Sequence, residues 1–372
     1  MNNTLIIGLS AGGSFLLSFL LANHPKHNNI YANRWLGVFM LAFAMSLLEI
    51  FIYDLGLQNQ YPLSISFLEL SRFVAAPALY LSVRYFTAPT KTFTWRTFAH
   101  FLLFLVLFLF QLPRMLTGNN LEIADKTLER IIFTFFAAAF PIQIIIYWIL
   151  SYRKLYRHRQ NIRQLASSTE SIDLSWLTNL LYVVIVIVIT WLHLAFFNPS
   201  GGASYASVLY FLSVYFLSYY SLKQKEVYAY PEQTLKELDI ILNKDPDNKA
   251  EKQKRLSDTQ INYLKIKLEN LMEEEKVYLN NELSLPLLSH KMGISIHELS
   301  FLINDEYGEN FFSFVNRYRV EKAKVLLLNN AARLTMLDIA FQAGFNSKTS
   351  FNTSFKKLTG LSPTEFQRSA QA

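Results

Sequence analysis

Ile339-Ala340-Phe341-Gln342-Ala343-Gly344-Phe345-Asn346-Ser347-Lys348-Thr349-Ser350-Phe351-Asn352-Thr353-Ser354-Phe355 decides how the C-terminal part of the chain folds. Ahead of it, Thr335-Met336-Leu337-Asp338 reads as a helix start, with a hydroxyl at the N-cap and a carboxylate three residues on. The first helix runs through Ile339, Ala340 and Phe341. Gly344 makes the turn, where a residue without Cβ tolerates positive φ. Ser347 caps a second helix whose inner face is Phe351 and Phe355. Its outer face carries Lys348, Thr349, Asn352 and Thr353. Amides and hydroxyls reach base edges in a major groove, and lysine reaches guanine acceptors or phosphate.

About 50 residues upstream the same pattern recurs. Leu285–His290 is a short helix, Lys291-Met292-Gly293-Ile294 the turn, and Ser295-x-x-Glu298 a capping box opening the next helix. Leu299, Leu302 and Ile303 fall on its buried face; His297 and Ser300 lie opposite, with Phe301 flanking. One glycine-turned hairpin is a weak signal. Two with matching cores, Ser289…Gly293 and Ala340…Gly344, are much stronger. Between them Phe311–Asn329 reads as one long helix bearing Arg317, Tyr318, Arg319, Lys322 and Lys324. Ser362-Pro363-Thr364-Glu365 starts a last helix, with proline at its first position and glutamate at its third.

From Ile339 to Phe366 the sequence closely resembles AraC-type transcription regulators, and Asn316-Arg317-Tyr318-Arg319-Val320-Glu321-Lys322-Ala323-Lys324 looks like that family's central linker helix. The resemblance covers roughly residues 265–370. It implies an all-helical domain whose two helix-turn-helix units enter successive major grooves of double-stranded DNA. By family position the contacts fall on His297, Ser300 and Phe301 in the first unit, and on Lys348, Thr349, Ser350, Asn352 and Thr353 in the second. Phe301 and Thr353 stand where many members have arginine, and Ser289 replaces a common alanine.

Residues 257–372 hold 13 acidic and 13 basic side chains, so the domain lacks a strong overall positive field. From Arg317 onward the balance is 9 basic to 3 acidic, which makes the electrostatic footprint local. Phosphate neutralisation supplies much of DNA affinity. A domain this balanced is expected to need a homodimer, or direct repeats in the DNA. Ile261, Leu264, Leu268 and Leu271 form a seam of about two heptads, which suits either the core of this domain or a dimer contact.

Outward from this domain the composition changes. Residues 223–256 gather Lys223, Lys225, Glu226 and Pro231, then Asn243-Lys244-Asp245-Pro246-Asp247-Asn248-Lys249, and read as a connector between folded units. Residues 1–222 contain only 14 basic and 8 acidic side chains, against 21 and 20 in 223–372. One uniform globular domain is thereby excluded. Apolar runs of about 20 residues cross about 30 Å of hydrocarbon as helices. Seven candidates follow: Leu5–Leu21, Trp35–Tyr53, Leu63–Phe86, Trp95–Leu112, Ile131–Leu150, Trp176–Phe197 and Tyr205–Leu222. The first is not read as a signal peptide, because no Lys or Arg precedes it while Lys26 and Arg34 follow.

Loops after spans one, three and five, with the start of the tail, hold eleven Lys and Arg; those after spans two, four and six hold three. The excess of cationic side chains in cytoplasmic loops places the N-terminus outside and the C-terminal half in the cytoplasm of a bacterial inner membrane. The expected fold is therefore all-α: a seven-helix bundle in the lipid bilayer (1–222), a linker (223–256) and a double helix-turn-helix domain (257–372).

Glu49, Glu69, Arg72, His100 and His193 sit inside spans, where ionisable groups are costly and mark either function or a structural pair. Glu69 and Arg72, three residues apart, share a helix face and can pair. His24 and His27 in a loop read as surface residues. The absence of cysteine excludes a disulfide scaffold, a zinc ribbon and a thiol enzyme. Neither a nucleotide-binding glycine loop nor a phosphoacceptor domain precedes the DNA reader, and Gly201-Gly202 reads as a turn.

These readings describe a one-component regulator, not an enzyme, without cofactor or metal. It binds promoter DNA under control of a small-molecule or envelope signal that the membrane half senses. The alternative is a transporter or membrane enzyme with a regulatory DNA-binding tail. A transporter calls for internal repeats and interrupted helices, and a hydrolase for paired acids or a metal cluster; the sequence displays neither. A third reading makes the bundle an anchor alone.

Overall fold

The computed structural model describes residues 2–23, 29–90, 94–117, 125–197, 202–242, 257–329 and 334–369. Every regular element among them is a helix. His24, His27, Gly201 and the 243–256 part of the connector lie outside the described residues. The chain divides into two compact units, one of residues 1–157 and 174–227, the other of 158–173 and 228–372.

The first unit contains α1 (Asn2–Ala22), α2 (Ile30–Asp54), α3 (Pro62–Leu70), α4 (Arg72–Thr87), a 3₁₀ turn (Trp95–Phe101) leading into α5 (Leu102–Thr117), most of α6 (Lys126–Leu165), α7 (Ser175–Phe197) and α8 (Gly202–Lys223). Among the described residues, six helical stretches are long and apolar enough to cross a membrane: Asn3–Ala22, Ile30–Asp54, Pro62–Thr87 (α3 with α4), Trp95–Leu116 (the 3₁₀ turn with α5), Lys126–Leu165 and Ser175–His193. The helix α8 is not one of them; five serines and five tyrosines lower its apolar character.

Small and hydroxylated residues let these helices approach closely. Ser18 Oγ on α1 donates to the Gly37 carbonyl on α2 at 2.8 Å. A Cβ at Gly37 would lie only 3.1 Å from the Ser18 carbonyl. Ser82 Oγ on α4 donates to the Ala32 carbonyl on α2 at 2.9 Å. Pro77 inside α4 has no N–H for the Phe73 carbonyl four residues back. That orphaned carbonyl instead accepts from Gln143 Nε2 on α6 at 3.2 Å.

The structure departs from the expected spans in three places. The third run is two helices, broken at Ser71, whose hydroxyl turns back to the Leu68 carbonyl at 2.6 Å. The fourth begins as a 3₁₀ turn. The fifth belongs to a 40-residue helix that continues past Leu150 through the basic stretch to Leu165.

The second unit holds the last turns of α6 and residues 166–173, then α9 (Glu232–Leu242), α10 (Asp258–Glu273), a 3₁₀ turn (Val277–Leu279), α11 (Leu285–Met292), α12 (Ile296–Glu306), α13 (Phe311–Leu328), α14 (Met336–Gln342), α15 (Lys348–Thr359) and α16 (Pro363–Ser369). Ile261, Leu264, Leu268 and Leu271 of α10 are all buried, so the seam serves this unit's core. Val320, Ala323 and Leu327 of α13 pack with Ile339 and Ala340 of α14, and with Phe345, Phe351 and Phe355.

Candidate nucleic-acid interface

Local chemistry sets both helix-turn-helix units. Ser295 Oγ accepts from the Glu298 N–H at 3.2 Å, and the Glu298 carboxylate accepts from the Ser295 N–H at 2.8 Å. Thr335 and Asp338 repeat this exchange at 3.2 and 3.0 Å. The Asp338 carboxyl is held below its ordinary pKa, first by the Thr335 hydroxyl and then by the Thr335 N–H. Gly293 turns with φ +67° and Gly344 with φ +92°. At Gly344 a Cβ would lie 2.6 Å from the Tyr278 carbonyl oxygen, so close backbone approach as well as φ demands glycine there.

On α15, Phe351 and Phe355 are buried. Lys348, Thr349, Asn352 and Thr353 are exposed, and Ser350 is half-buried, its N–H donating to the Ser347 cap at 3.1 Å. Thr349, Asn352 and Thr353 thus lie away from the core face, and Lys348 is exposed at the first turn of the helix. On α12, Leu299, Leu302 and Ile303 are buried, while His297, Ser300 and Phe301 are half-buried. Ser300 Oγ accepts from Asn304 Nδ2 at 3.3 Å. The second helix thus presents a more open polar face than the first.

Sequence reasoning missed two features beside this face. Arg319 belongs by sequence to the basic footprint, yet it is 1% exposed and is not available for direct contact with a phosphate. Its guanidinium donates to the carbonyls of Tyr278 (2.8 Å), Asn280 (2.9 Å) and Ser167 (3.1 Å), to Ser167 Oγ (2.9 Å) and to Asn316 Oδ1 (3.2 Å). Burial pulls its pKa down to about 9, which still leaves it protonated at neutral pH. The second feature is the segment it grips. Ser167 N–H donates to the Leu283 carbonyl at 3.1 Å, and Ala166 bridges Ser284. Further along, Asn346 Nδ2 donates to Ser168 Oγ at 2.7 Å, and Ser347 Oγ donates to a Glu170 carboxylate oxygen. Nothing in the stretch Ser167-Ser168-Thr169-Glu170 announces this docking by itself.

In the first unit, Arg72 at the start of α4 pairs with Glu49 of α2, rather than with Glu69 near the end of α3. Glu49 is 2% exposed, Glu69 half-buried and His193 exposed. His100 Nδ1 meets the Tyr147 hydroxyl at 3.0 Å. A cavity of about 370 Å³ lies among these helices, walled by Phe39, Phe43, Arg72, Tyr147, Trp148 and Tyr210 among others. Among the described residues, no three His, Asp or Glu group together in a way that could hold a metal ion.

Residues 288–369 match the family model described as a helix-turn-helix domain. An uncharacterized HTH-type transcriptional regulator of Staphylococcus aureus (strain COL) is 33% identical over 101 residues, 27% of this chain and 13% of that protein. The HTH-type regulator YkgA of Escherichia coli K12 is 30% identical over 100 residues, 27% of this chain and 41% of that protein. The chain therefore spans about an eighth of the length of the staphylococcal relative. The crystal structure of the C-terminal domain of the response regulator yesN from Fusobacterium nucleatum is 31% identical, covers 28% of this chain and 98% of that one, and has a TM-score of 0.26. Matching that family model over residues 288–369, with two capped helical hairpins and their glycine turns, the C-terminal part of the chain is an AraC-type helix-turn-helix DNA-binding domain.

Proposed function

We propose that the chain is a membrane-embedded one-component transcription regulator. A helical bundle in the bacterial cytoplasmic membrane senses a signal, and the tethered cytoplasmic domain binds promoter DNA in a sequence-specific manner. The observation that carries this reading is the surface of the first unit. Leu5, Leu9, Leu16 and Phe19 of α1, Leu102, Leu105 and Leu109 of α5, and Ile142, Ile145, Ile146 and Ile149 of α6 all face outward. Water does not tolerate such continuous apolar faces, whereas hydrocarbon does. On this reading residues 1–222 cross the bilayer seven times, with α8 as the seventh span, the N-terminus outside and the C-terminus in the cytoplasm. Residues 223–256 link the bundle to a DNA reader at 257–372.

His297, Ser300 and Phe301 of α12 and Lys348, Thr349, Ser350, Asn352 and Thr353 of α15 are the proposed DNA contacts. Glu49, Glu69, Arg72 and His193 are the proposed polar groups of sensing or bundle structure. The cavity beside Arg72 supports sensing over anchoring, because a tether has no use for an internal space of that size. A bound signal acts only by favouring one arrangement of the bundle over another.

The test is genome-wide mapping of bound DNA in cells, comparing the wild type with a K348A/N352A variant. Discrete promoter peaks that vanish in the variant are expected; unchanged occupancy would remove the site assignment. A reporter fused to the C-terminus should be active in the cytoplasm, and activity only in the periplasm would sink the topology.

A further inference from the structure

Resting on the reading that α15 meets DNA, we infer that the DNA-binding unit carries a docking surface for the chain's own segment 158–173, and that Glu170 of this segment takes the place of a DNA phosphate at the start of α15. The docked segment then holds the regulator off DNA.

The docking is built, not incidental. Ser167 is buried, and the equally buried Arg319 contacts both its carbonyl and its hydroxyl. Asn316 Nδ2 donates to the same carbonyl at 3.2 Å. Ser167 Oγ in turn donates to the Leu283 carbonyl at 2.6 Å. Arg319 and Asn316 of α13 and the Leu283 carbonyl just ahead of α11 thus converge on one serine that belongs to the loop between α6 and α7. Arg319 is spent on this grip, on Asn316 Oδ1 and on the carbonyls of Tyr278 and Asn280, and its burial keeps it off the surface that α15 presents.

Three residues beyond this anchor, Glu170 reaches the N-terminus of α15. There the Ser347 hydroxyl accepts from the Ser350 N–H and donates a hydrogen bond to a Glu170 carboxylate oxygen. Asn346, one residue earlier, is held by Ser168. A helix N-terminus with a hydroxyl cap attracts anions, and phosphate contacts of this kind set the register of a protein on duplex DNA. A carboxylate in that place occupies the hydroxyl's proton and repels an incoming phosphate. Glu170 itself is exposed, so its single bond is weak and separable. The anchor at Ser167 is buried and persistent. The segment is therefore a fixed hinge bearing a releasable latch. It is short, with α6 ending at Leu165 and α7 starting at Ser175, so a shift of either helix is carried covalently to the latch.

The experiment uses the full chain in nanodiscs and a fluorescent 60-bp duplex of mixed sequence at low salt. E170Q should bind about fivefold tighter than wild type, an advantage that shrinks as salt screens the charge. Because the chain has no cysteine, an S168C/N346C pair can be closed by oxidation or by a short dithiol cross-linker without background. The closed form should bind about tenfold more weakly or worse, by loss of phosphate contacts, with full recovery after reduction of the disulfide. If no cross-link forms, the docking is wrong. If E170Q matches wild type, or the closed form matches the open one, the inference falls while the DNA-binding reading stands. If no form binds the duplex at all, the reading of α15 falls first and takes the inference with it.

Discussion

Arg319 and Ser167 are 152 positions apart in the chain, yet the guanidinium meets the serine's hydroxyl at 2.9 Å and its carbonyl at 3.1 Å. A charge desolvated to this degree is tolerated only when its donors are satisfied, and here five hydrogen bonds satisfy them. The DNA-binding unit is therefore assembled around a residue of the α6–α7 loop.

Removing the guanidinium should be severe. Arg319→Met fills much of the volume but strands the carbonyls of Tyr278, Asn280 and Ser167 in a dry interior. The expected loss is about 3–5 kcal/mol of stability in the second unit, read as a fall in the denaturant midpoint of the full chain in detergent. A loss under about 1 kcal/mol would mean that water reaches the site and replaces the arginine.

The two turn glycines should respond differently to alanine. Gly293 has positive φ but open space around its Cα, so Gly293→Ala meets only the left-handed penalty of about 1–2 kcal/mol. Gly344 has the same kind of backbone, and its added methyl would lie 2.6 Å from one backbone atom and 2.9 Å from another. Backbone cannot step aside as a flexible side chain can, so Gly344→Ala should cost more than Gly293→Ala and disturb the approach to α15. Equal unfolding midpoints for the two variants would contradict this packing.

What was legible in the sequence was short-range. The boxes at Ser295/Glu298 and Thr335/Asp338, the Ser362–Glu365 start and the turns at Gly293 and Gly344 are each decided within about four residues, because they satisfy backbone groups of their own helix end. The inner faces Leu299/Leu302/Ile303 and Phe351/Phe355 follow from helical period alone. Partners that meet through folding were not legible. Nothing at Arg319 announces Ser167. The spacing of Glu69 and Arg72 suggested a pair, but the break at Ser71 leaves them on separate helices, and α2 offers Glu49 instead. Likewise Pro77 foretells an orphaned carbonyl without saying that Gln143 will satisfy it.

The Glu49–Arg72 pair should show strong coupling. Glu49 is buried, and its Oε2 has no partner among the described residues, so Arg72 is its main compensation. Arg72→Met alone leaves a carboxylate in an apolar bundle and is expected to lower stability by about 2–5 kcal/mol, whereas the double change E49Q/R72M should be markedly milder. Thermal unfolding in detergent across the four proteins of the cycle measures this; additive losses would show that the two charges act independently.

Acid should loosen the second helix-turn-helix unit first at its caps. The Asp338 and Glu365 carboxyls are both held below their ordinary pKa, chiefly by the hydroxyls of Thr335 and Ser362 and next by the backbone N–H groups of those residues. A carboxyl depressed in the folded state contributes stability that is complete above its unfolded pKa, near 4. That contribution is lost as pH falls through the lower folded value. Replacing both with amides, D338N/E365Q, should therefore flatten the pH dependence of the unfolding midpoint between about pH 5 and pH 2, with little change at pH 7 in which helices form. An unaltered acid profile would place the acid sensitivity elsewhere.

Lys348 and Asn352 lie on the same exposed side of α15, yet they should fail differently on DNA. Lysine is a point charge on a flexible stem, suited to phosphate; removing it should weaken binding to all sequences and reduce the slope of log affinity against log salt by about one. Asparagine carries a paired donor and acceptor suited to an adenine edge; Asn352→Ala should leave the salt slope intact and relax preference at one base pair, by about 1–3 kcal/mol. Measured over several salt concentrations on a mapped target and on single-base variants of it, the two signatures separate cleanly. With 13 acidic residues balancing 13 basic ones in 257–372, one copy on one half-site neutralises few phosphates, so the wild-type slope itself should be shallow on a single half-site and steepen on a repeated one. A steep slope with tight binding to one half-site would contradict the need for a second copy.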